Sequence, residues 1–321
     1  MILVTGGTGF IGSHLVERLT EQGRAVRCLV RRTSAVGSLP AAVERMEGDL
    51  ETGAGLAEAL RGVDTVMHLA GVTKGRVPAD YDRGNATATS NLVSAASGVR
   101  RFVHVSSLAA AGPSPPDRAL TEQDPPHPVS QYGRSKLAGE QIVRKSPLGG
   151  RIVIVRPPVV YGPRDRDVFQ MIRAAAAGWM LQIGNRPRHF SLIYVADLVD
   201  GLIRAAEQEG AAGGLFYIAH STAISWAEFG HTAARLMRRK LHTLSIPENL
   251  AYALGWCAEQ WSSVSGKPGI LSRDKVTEAC CAGWVCDAGL ASRELGFRAA
   301  TDLENGLRQT LNWYKEAGWL K

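Results

Sequence analysis

Thr5-Gly6-Gly7-Thr8-Gly9-Phe10-Ile11-Gly12 follows the apolar run Ile2-Leu3-Val4 and opens a stretch with helical periodicity at residues 13–22. A glycine motif between a strand and a helix is informative where the same motif alone is weak. Gly6 suits a tight turn, Gly9 a close approach of backbone to a pyrophosphate, and Gly12 close packing of helix on sheet. The free amides and positive end of the helix would then face phosphate oxygens, with Thr8, Phe10 and Ile11 in the same cradle.

Outward from this loop, short β-branched runs at residues 2–5, 25–30, 43–47, 65–69, 102–106 and 152–156 alternate with helical stretches at 13–22, 56–61, 80–96 and 131–144. Apolar residues recur at three- and four-residue steps in the latter, and Gly23, Gly62 and Gly98 stand where C-terminal caps belong. This rhythm predicts an α/β protein with a Rossmann doubly wound parallel sheet. Beyond residue 157, Pro157, Pro158, Pro163 and Pro187 break the rhythm. Residues 1–160 are therefore expected to form a dinucleotide-binding domain, with returning segments near 190–220. Residues 161–321 should form mainly a smaller, interwoven C-terminal substrate lobe.

Dinucleotide choice is read about twenty residues past the glycine loop, where an acid favours NAD and an arginine favours NADP. The second strand ends Val30-Arg31-Arg32-Thr33-Ser34, and no acid occurs from Arg24 to Val43. Arg31 and Arg32 each offer a fork for a 2′-phosphate, so NADP (NADPH) is expected over NAD.

With these features in order, the chain resembles the extended short-chain dehydrogenases/reductases of the NAD(P)-dependent epimerase/dehydratase superfamily, over essentially its whole length. Gly48-Asp49-Leu50 resembles the adenine contact, and His68-Leu69-Ala70-Gly71 the loop beside ribose and nicotinamide. Ser106-Ser107 ends the fifth strand, and Tyr132-Gly133-Arg134-Ser135-Lys136 follows. Arg156-Pro157-Pro158-Val159 opens the segment flanking the nicotinamide, which places Pro157 and Val159 at the cofactor. The resemblance implies Ser107, Tyr132 and Lys136 as the catalytic set, with Asn85 as a support for local geometry. The segment ending Ile193-Tyr194-Val195-Ala196-Asp197 resembles the entry to a helix beneath the substrate lobe, with Asp197 as its cap.

Tyr132 and Lys136, four residues apart, project from one helix face. A tyrosine is a weak base at neutral pH, so Lys136 is expected to favour the phenolate and to hold the nicotinamide ribose. Ser107, at a strand end, would hydrogen-bond the reacting oxygen, and strand alternation would turn Ser106 away. Sugar-nucleotide dehydratases of this superfamily place an acidic pair after the active-site hydroxyl residue. Here Leu108-Ala109-Ala110-Ala111 offers none, which disfavours dehydration.

Residues 247–269, Trp284-Val285-Cys286-Asp287, 294–297 and 306–310 resemble the C-terminal lobe of the 3β-hydroxysteroid dehydrogenase and dihydroflavonol reductase branch. Leu250, Tyr252, Leu254, Trp256 and Trp261 would line an apolar pocket or the lobe core. Reduction of an apolar ketone, or oxidation of the matching alcohol, is the leading expectation. A sugar-nucleotide epimerase is the enzymatic rival, with Arg164, Arg166, Arg186 and Arg188 as diphosphate ligands. The rival from another class is a non-catalytic NADPH-binding sensor or assembly protein.

Composition narrows the setting. The chain has 321 residues and a net charge of +7, but its Lys and Arg residues are dispersed among acids, which favours small anionic molecules over nucleic acid. No run reaches the roughly 18 apolar residues of a membrane span, and the most apolar helical stretch, 250–261, contains Glu259. The first strand, starting at Ile2, leaves no room for a leader, so a cytoplasmic setting is expected. The five cysteines lack zinc spacing and read as ordinary thiols, with no metal expected. The helices at 80–96 and 131–144 are candidates for a homodimer contact.

Overall fold

In the structure, a computed structural model describing residues 1–265 and 272–320, seven parallel strands form one sheet. Six of them, β1 (Ile2–Thr5), β2 (Val26–Val30), β3 (Glu44–Glu47), β4 (Thr65–His68), β5 (Arg101–Val105) and β6 (Ile152–Arg156), lie within one residue of the expected runs. Across the sheet the order is Leu215–Tyr217, β6, β5, β4, β1, β2, β3, the doubly wound Rossmann arrangement. Leu215–Tyr217 pairs with β6 and is a seventh strand that periodicity did not reveal, because three residues are too few to show a period.

Both faces of the sheet are buried, and alternation along each strand divides its side chains between two apolar layers. Val4, Val103, Val105, Val153 and Val155 join the layer of the Phe10–Glu21 helix. Leu3, Phe102, Ile152 and Ile154 join the opposite one, with Leu92 and Val143. The helix Val195–Glu207 lies in the first layer through Leu198, Val199 and Leu202, while Val195 at its start packs with the lobe residues Tyr161 and Tyr194. Its amphipathic stripe is filled by sheet residues. Asp197 does not cap its own helix: its carboxylate accepts the Thr301 amide (2.9 Å) and hydroxyl (3.1 Å), tying the last helix, Leu303–Glu316, to the sheet half.

Two local expectations change. The helix expected at 80–96 is Pro78–Tyr81, a wide π turn at Asp82–Thr87, and Ala88–Ala95. Gly98 is not a left-handed cap, unlike Gly23 and Gly62 (φ 70° and 71°), because the helix has already ended, with the Ala96 amide bonded to the Leu92 carbonyl. The lobe has its own core, built on Tyr161, Ile172, Phe190, Phe229, Leu311 and Tyr314. All five cysteines are free. Burial pushes the Cys28 and Cys286 thiols up to about 12, so these two are apolar packing groups.

Candidate active site

The strand order reverses between β1 and β4, and crevices of such sheets open at the carboxyl ends of those strands. There the Thr5 hydroxyl meets His68 Nδ1 at 2.7 Å and accepts the Ala70 amide at 3.3 Å, joining the two strand ends. Burial holds the His68 imidazole down to about 3, so the ring is neutral and acts as a spacer. Gly6 has φ 73°, and a Cβ on it would stand 2.7 Å from the Ala70 nitrogen. A Cβ on Gly12 would meet the Gly6 carbonyl at 2.1 Å, so loop and helix close as tightly as only glycine allows.

A groove of about 240 Å³ follows from this packing, walled by Gly6, Thr8, Gly9, Arg31, Asp49, Leu50, Leu69, Ala70 and Gly71. It fits a dinucleotide, with glycine backbone at one end and a guanidinium at the other. Arg32 does not line it: the chain turns at Arg31, whose amide donates to Ser34 Oγ (3.0 Å), and Ser34 takes the place on the wall. Phe10, Ile11 and Gly12 are not on the wall either, since their helix packs its side chains into the layers beneath: Phe10 against the lobe core and Ile11 against the sheet. Pro157 is likewise absent from the wall; its carbonyl accepts the Leu108 amide (2.9 Å).

A second cavity, of about 380 Å³, lies beyond the ends of β5 and β6. Ser107, Tyr132 and Val159 line it with Leu108, Met171, Trp226 and Trp284. Ser107 begins the short helix Leu108–Ala111, its hydroxyl accepting the Ala109 amide (3.1 Å) and sharing the cavity wall with Tyr132. Ser106 points the other way and donates to Glu140 (2.5 Å), as strand alternation requires. Tyr132 opens the Gln131–Lys145 helix, which Ser130 caps by accepting the Gly133 amide. Lys136, one turn on, donates to the Val105 carbonyl (2.7 Å), and a Cβ on Gly71 would lie 3.8 Å from its ammonium. Ser107 and Tyr132 thus share the second cavity, while Lys136 is buried one turn along the same helix, behind Gly71 of the groove, and lines neither.

The electrostatics differ from the expectation. Burial pushes the Tyr132 phenol above its ordinary value, the neighbouring Ser107 hydroxyl pulls it down, and the nearby charge that also lowers it is Lys275, not Lys136. The Lys275 ammonium lies 5.8 Å from the Tyr132 ring centre and is held by Glu278 at 2.9 Å. Burial draws Lys136 itself down to about 8, against the opposing pull of Glu140. Lys275 and Glu278 belong to the helix Arg273–Cys280, which is docked on the Tyr132 helix by the Gln131 amide donating to Asp274 (2.6 Å). Sequence reasoning missed this helix as part of the site; an Asp-Lys pair after a Ser cap is too common to signal it.

Supporting residues lie beneath. Asn85, turned inward by the π turn, accepts the Val72 amide (2.8 Å) and donates to the Val72 carbonyl (2.9 Å) and Ser135 (2.8 Å). It thereby ties the loop after Gly71 to the Tyr132 helix, and such single wide turns recur at functional sites. Glu140 takes both ends of the Arg156 guanidinium (2.8 and 2.7 Å), a buried fork that fixes that helix to β6.

Four arginines expected at a diphosphate are elsewhere. Arg164 grips Glu17 (2.7 and 2.9 Å), Arg166 lies over Trp319, Arg188 pairs with Glu248, and Arg186 is exposed; none lines the second cavity. Leu250, Tyr252, Leu254 and Trp256 line neither that cavity nor the core. All four are exposed, because the Glu248–Ser265 helix buries its Ala251 and Gly255 face instead. The Trp261 side chain and residues 266–269 of the expected lobe segment lie outside the described residues.

Comparison with known proteins agrees with this architecture. A ceramide reductase of Caulobacter vibrioides is 29% identical over 322 residues, spanning 100% of this chain and 96% of that protein. A 4-hydroxy-2-methyl-3-oxo-4-farnesyl-3,4-dihydroquinoline-1-oxide ketoreductase of Stigmatella aurantiaca is 30% identical over 264 residues, 80% of this chain and 79% of its own. Among solved structures, MoeE5 in complex with UDP-glucose and NAD superposes with a TM-score of 0.78 at 28% identity, covering 98% of this chain and 99% of that one. Residues 2–219 match the NAD dependent epimerase/dehydratase family, and the chain belongs to that family of extended short-chain dehydrogenases/reductases.

Proposed function

We propose that this chain is an NADP-dependent oxidoreductase that reduces a ketone, or oxidises the matching secondary alcohol, on a mainly apolar substrate. The observation that carries the reading is that Ser107 and Tyr132 share the wall of a largely apolar cavity, with Lys136 one helical turn on from Tyr132. Arg31, the guanidinium on the wall of the groove, supports the choice of NADP.

When bound in the groove, the reduced dinucleotide supplies hydride to a carbonyl carbon. Tyr132 donates its proton to the carbonyl oxygen, and Ser107 hydrogen-bonds the same oxygen. Lys136 holds ribose hydroxyls near Gly71. Because burial holds the phenol protonated at neutral pH, Tyr132 is poised as the acid, which suits the reductive direction.

The second reading, epimerisation of a sugar nucleotide, is favoured by the likeness to MoeE5, whose structure holds UDP-glucose. The engagement of Arg164, Arg166 and Arg188 away from the cavity weighs against it. Mixing the protein with NADPH and either apolar ketones or UDP-sugars separates the two. A reductase consumes NADPH in proportion to ketone reduced, seen in the near-ultraviolet absorbance of the cofactor. Interconversion of UDP-sugars with no net change in cofactor would overturn the proposal.

A further inference from the structure

Of the eight large apolar side chains exposed among the described residues, seven lie on two adjoining elements of the lobe. The first is a parallel ribbon of Trp179–Ile183 and His242–Ile246, whose register sets Trp179 opposite His242 and Leu181 opposite Leu244. Alternation therefore puts Trp179, Leu181 and Leu244 on one face, exposed by 56%, 61% and 54%, while Met180 faces inward. The second is the Glu248–Ser265 helix, joined to the ribbon through Pro247, with Leu250, Leu254 and Trp256 outward. Monomeric soluble proteins rarely cluster such side chains without a partner.

Charge says which partner. Residues 170–190 and 235–260 hold seven Lys/Arg against two Asp/Glu, a surplus of five in a chain whose whole net charge is +7. Both acids are engaged, Glu248 by Arg188 and Glu259 by Arg273. Arg173, Arg186, Arg238, Arg239 and Lys240 are exposed, and none has a carboxylate in salt-bridge range among the described residues. Arg238-Arg239-Lys240 lies at the ribbon's edge, where the Lys240 carbonyl approaches Gly178 (3.1 Å from a Cβ built there) and the His242 amide bonds the Gly178 carbonyl. Exposed Trp and Leu rimmed by unpaired cations is the composition of a surface that lies in a lipid interface.

We propose that this face docks the protein on an anionic lipid bilayer. Trp179, Leu181 and Leu244 enter the headgroup region, and the Arg238–Lys240 cations meet lipid phosphates. The Glu248–Ser265 helix leads from the ribbon toward the second cavity: Arg273–Cys280 packs on it, where a Cβ on Gly255 would stand 3.0 Å from Val276, and brings Lys275 and Glu278 to the cavity wall. Docking would hold the lobe that carries this wall at the interface in which apolar substrates dissolve. The docking itself is measured without turnover, so it stands or falls separately from the proposed reaction.

The test is sedimentation of the full chain with vesicles of equal parts phosphatidylglycerol and phosphatidylcholine, against pure phosphatidylcholine. Binding is expected only to the anionic vesicles, falling as salt is added. R238E/R239E/K240E should weaken it by ~100-fold or more, since each cation near an anionic surface contributes about fivefold. W179S/L181S/L244S should also release the protein, with the cooperative thermal transition retained in both variants. If the serine variant fails to fold, the charge variant alone decides. Absence of binding to anionic vesicles, or undiminished binding by a folded charge variant, overturns the proposal. So does a parent dimer that W179S/L181S/L244S makes monomeric, because a second copy of the chain would then cover this face.

Discussion

The Gln131–Lys145 helix carries a residue of the cavity wall and the Glu248–Ser265 helix carries none, yet both have apolar positions at helical spacing. The first is fastened by polar groups: the Ser130 cap, the Asn85–Ser135 bond, Lys136 on the Val105 carbonyl, and the Glu140–Arg156 fork. The second packs on small residues, Ala251 and Gly255, and turns Leu250, Leu254 and Trp256 outward. The helix that carries Tyr132 and Lys136 is over-determined by directional bonds. The other rests on a small-residue face and on ion pairs through Glu248 and Glu259, and leaves its large apolar side chains outward. Substitutions in the two helices should therefore differ in kind.

The largest expected effect is on chemistry. Tyr132→Phe should lower turnover by ~10²–10⁴-fold through loss of the proton donor, with NADPH affinity nearly unchanged. Equal turnover in the variant would remove Tyr132 from the mechanism. Next comes stability in the fastened helix. Glu140→Leu strands the buried Arg156 charge and frees Ser106, and should cost about 3–5 kcal/mol in urea unfolding. A loss under about 1 kcal/mol would mean the fork does not organise the site.

Arg31→Asp should weaken NADPH by about 10- to 100-fold while leaving NADH within a few-fold, as expected for loss of a charge-assisted contact. Equal weakening of both in a binding titration would argue against NADP selectivity. Lys275→Met should act through pH. The Tyr132 pKa is raised by burial and lowered by Lys275, so removing the cation moves it further up. The rise of alcohol oxidation with pH then shifts to more alkaline values, and an unmoved profile would place Lys275 outside the site's electrostatics. Smallest of all, Leu254→Ser on the open helix should change stability by no more than about 0.5 kcal/mol, because its side chain is already in solvent. A loss of several kcal/mol would show that Leu254 packs against something in the folded chain.

How legible was this molecule in its sequence? The glycine loop, six strands and the spacing of Tyr132 and Lys136 could be read because each depends on neighbours within a few residues. A helix face repeats every three or four positions, and a turn demands its glycine locally. Ser107 was likewise marked by its strand end. What Lys136 and Tyr132 face was not legible, since the Val105 carbonyl reaches Lys136 from 31 positions away in the chain and Lys275 reaches Tyr132 from 143, by packing alone. The four arginines were misplaced for the same reason: a guanidinium takes whichever carboxylate the fold brings near, and for Arg164 that is Glu17.

By itself, then, the sequence determined the doubly wound sheet, the glycine loop and the spacing of Tyr132 and Lys136 on one helix, all of which follow from short-range backbone geometry and periodicity. Tertiary structure alone decided which cation faces the phenol, where the arginines end, and that Leu250, Leu254 and Trp256 look outward. Those outcomes depend on long-range packing, in which apolar residues at helical spacing read the same whether they close on a core or face solvent.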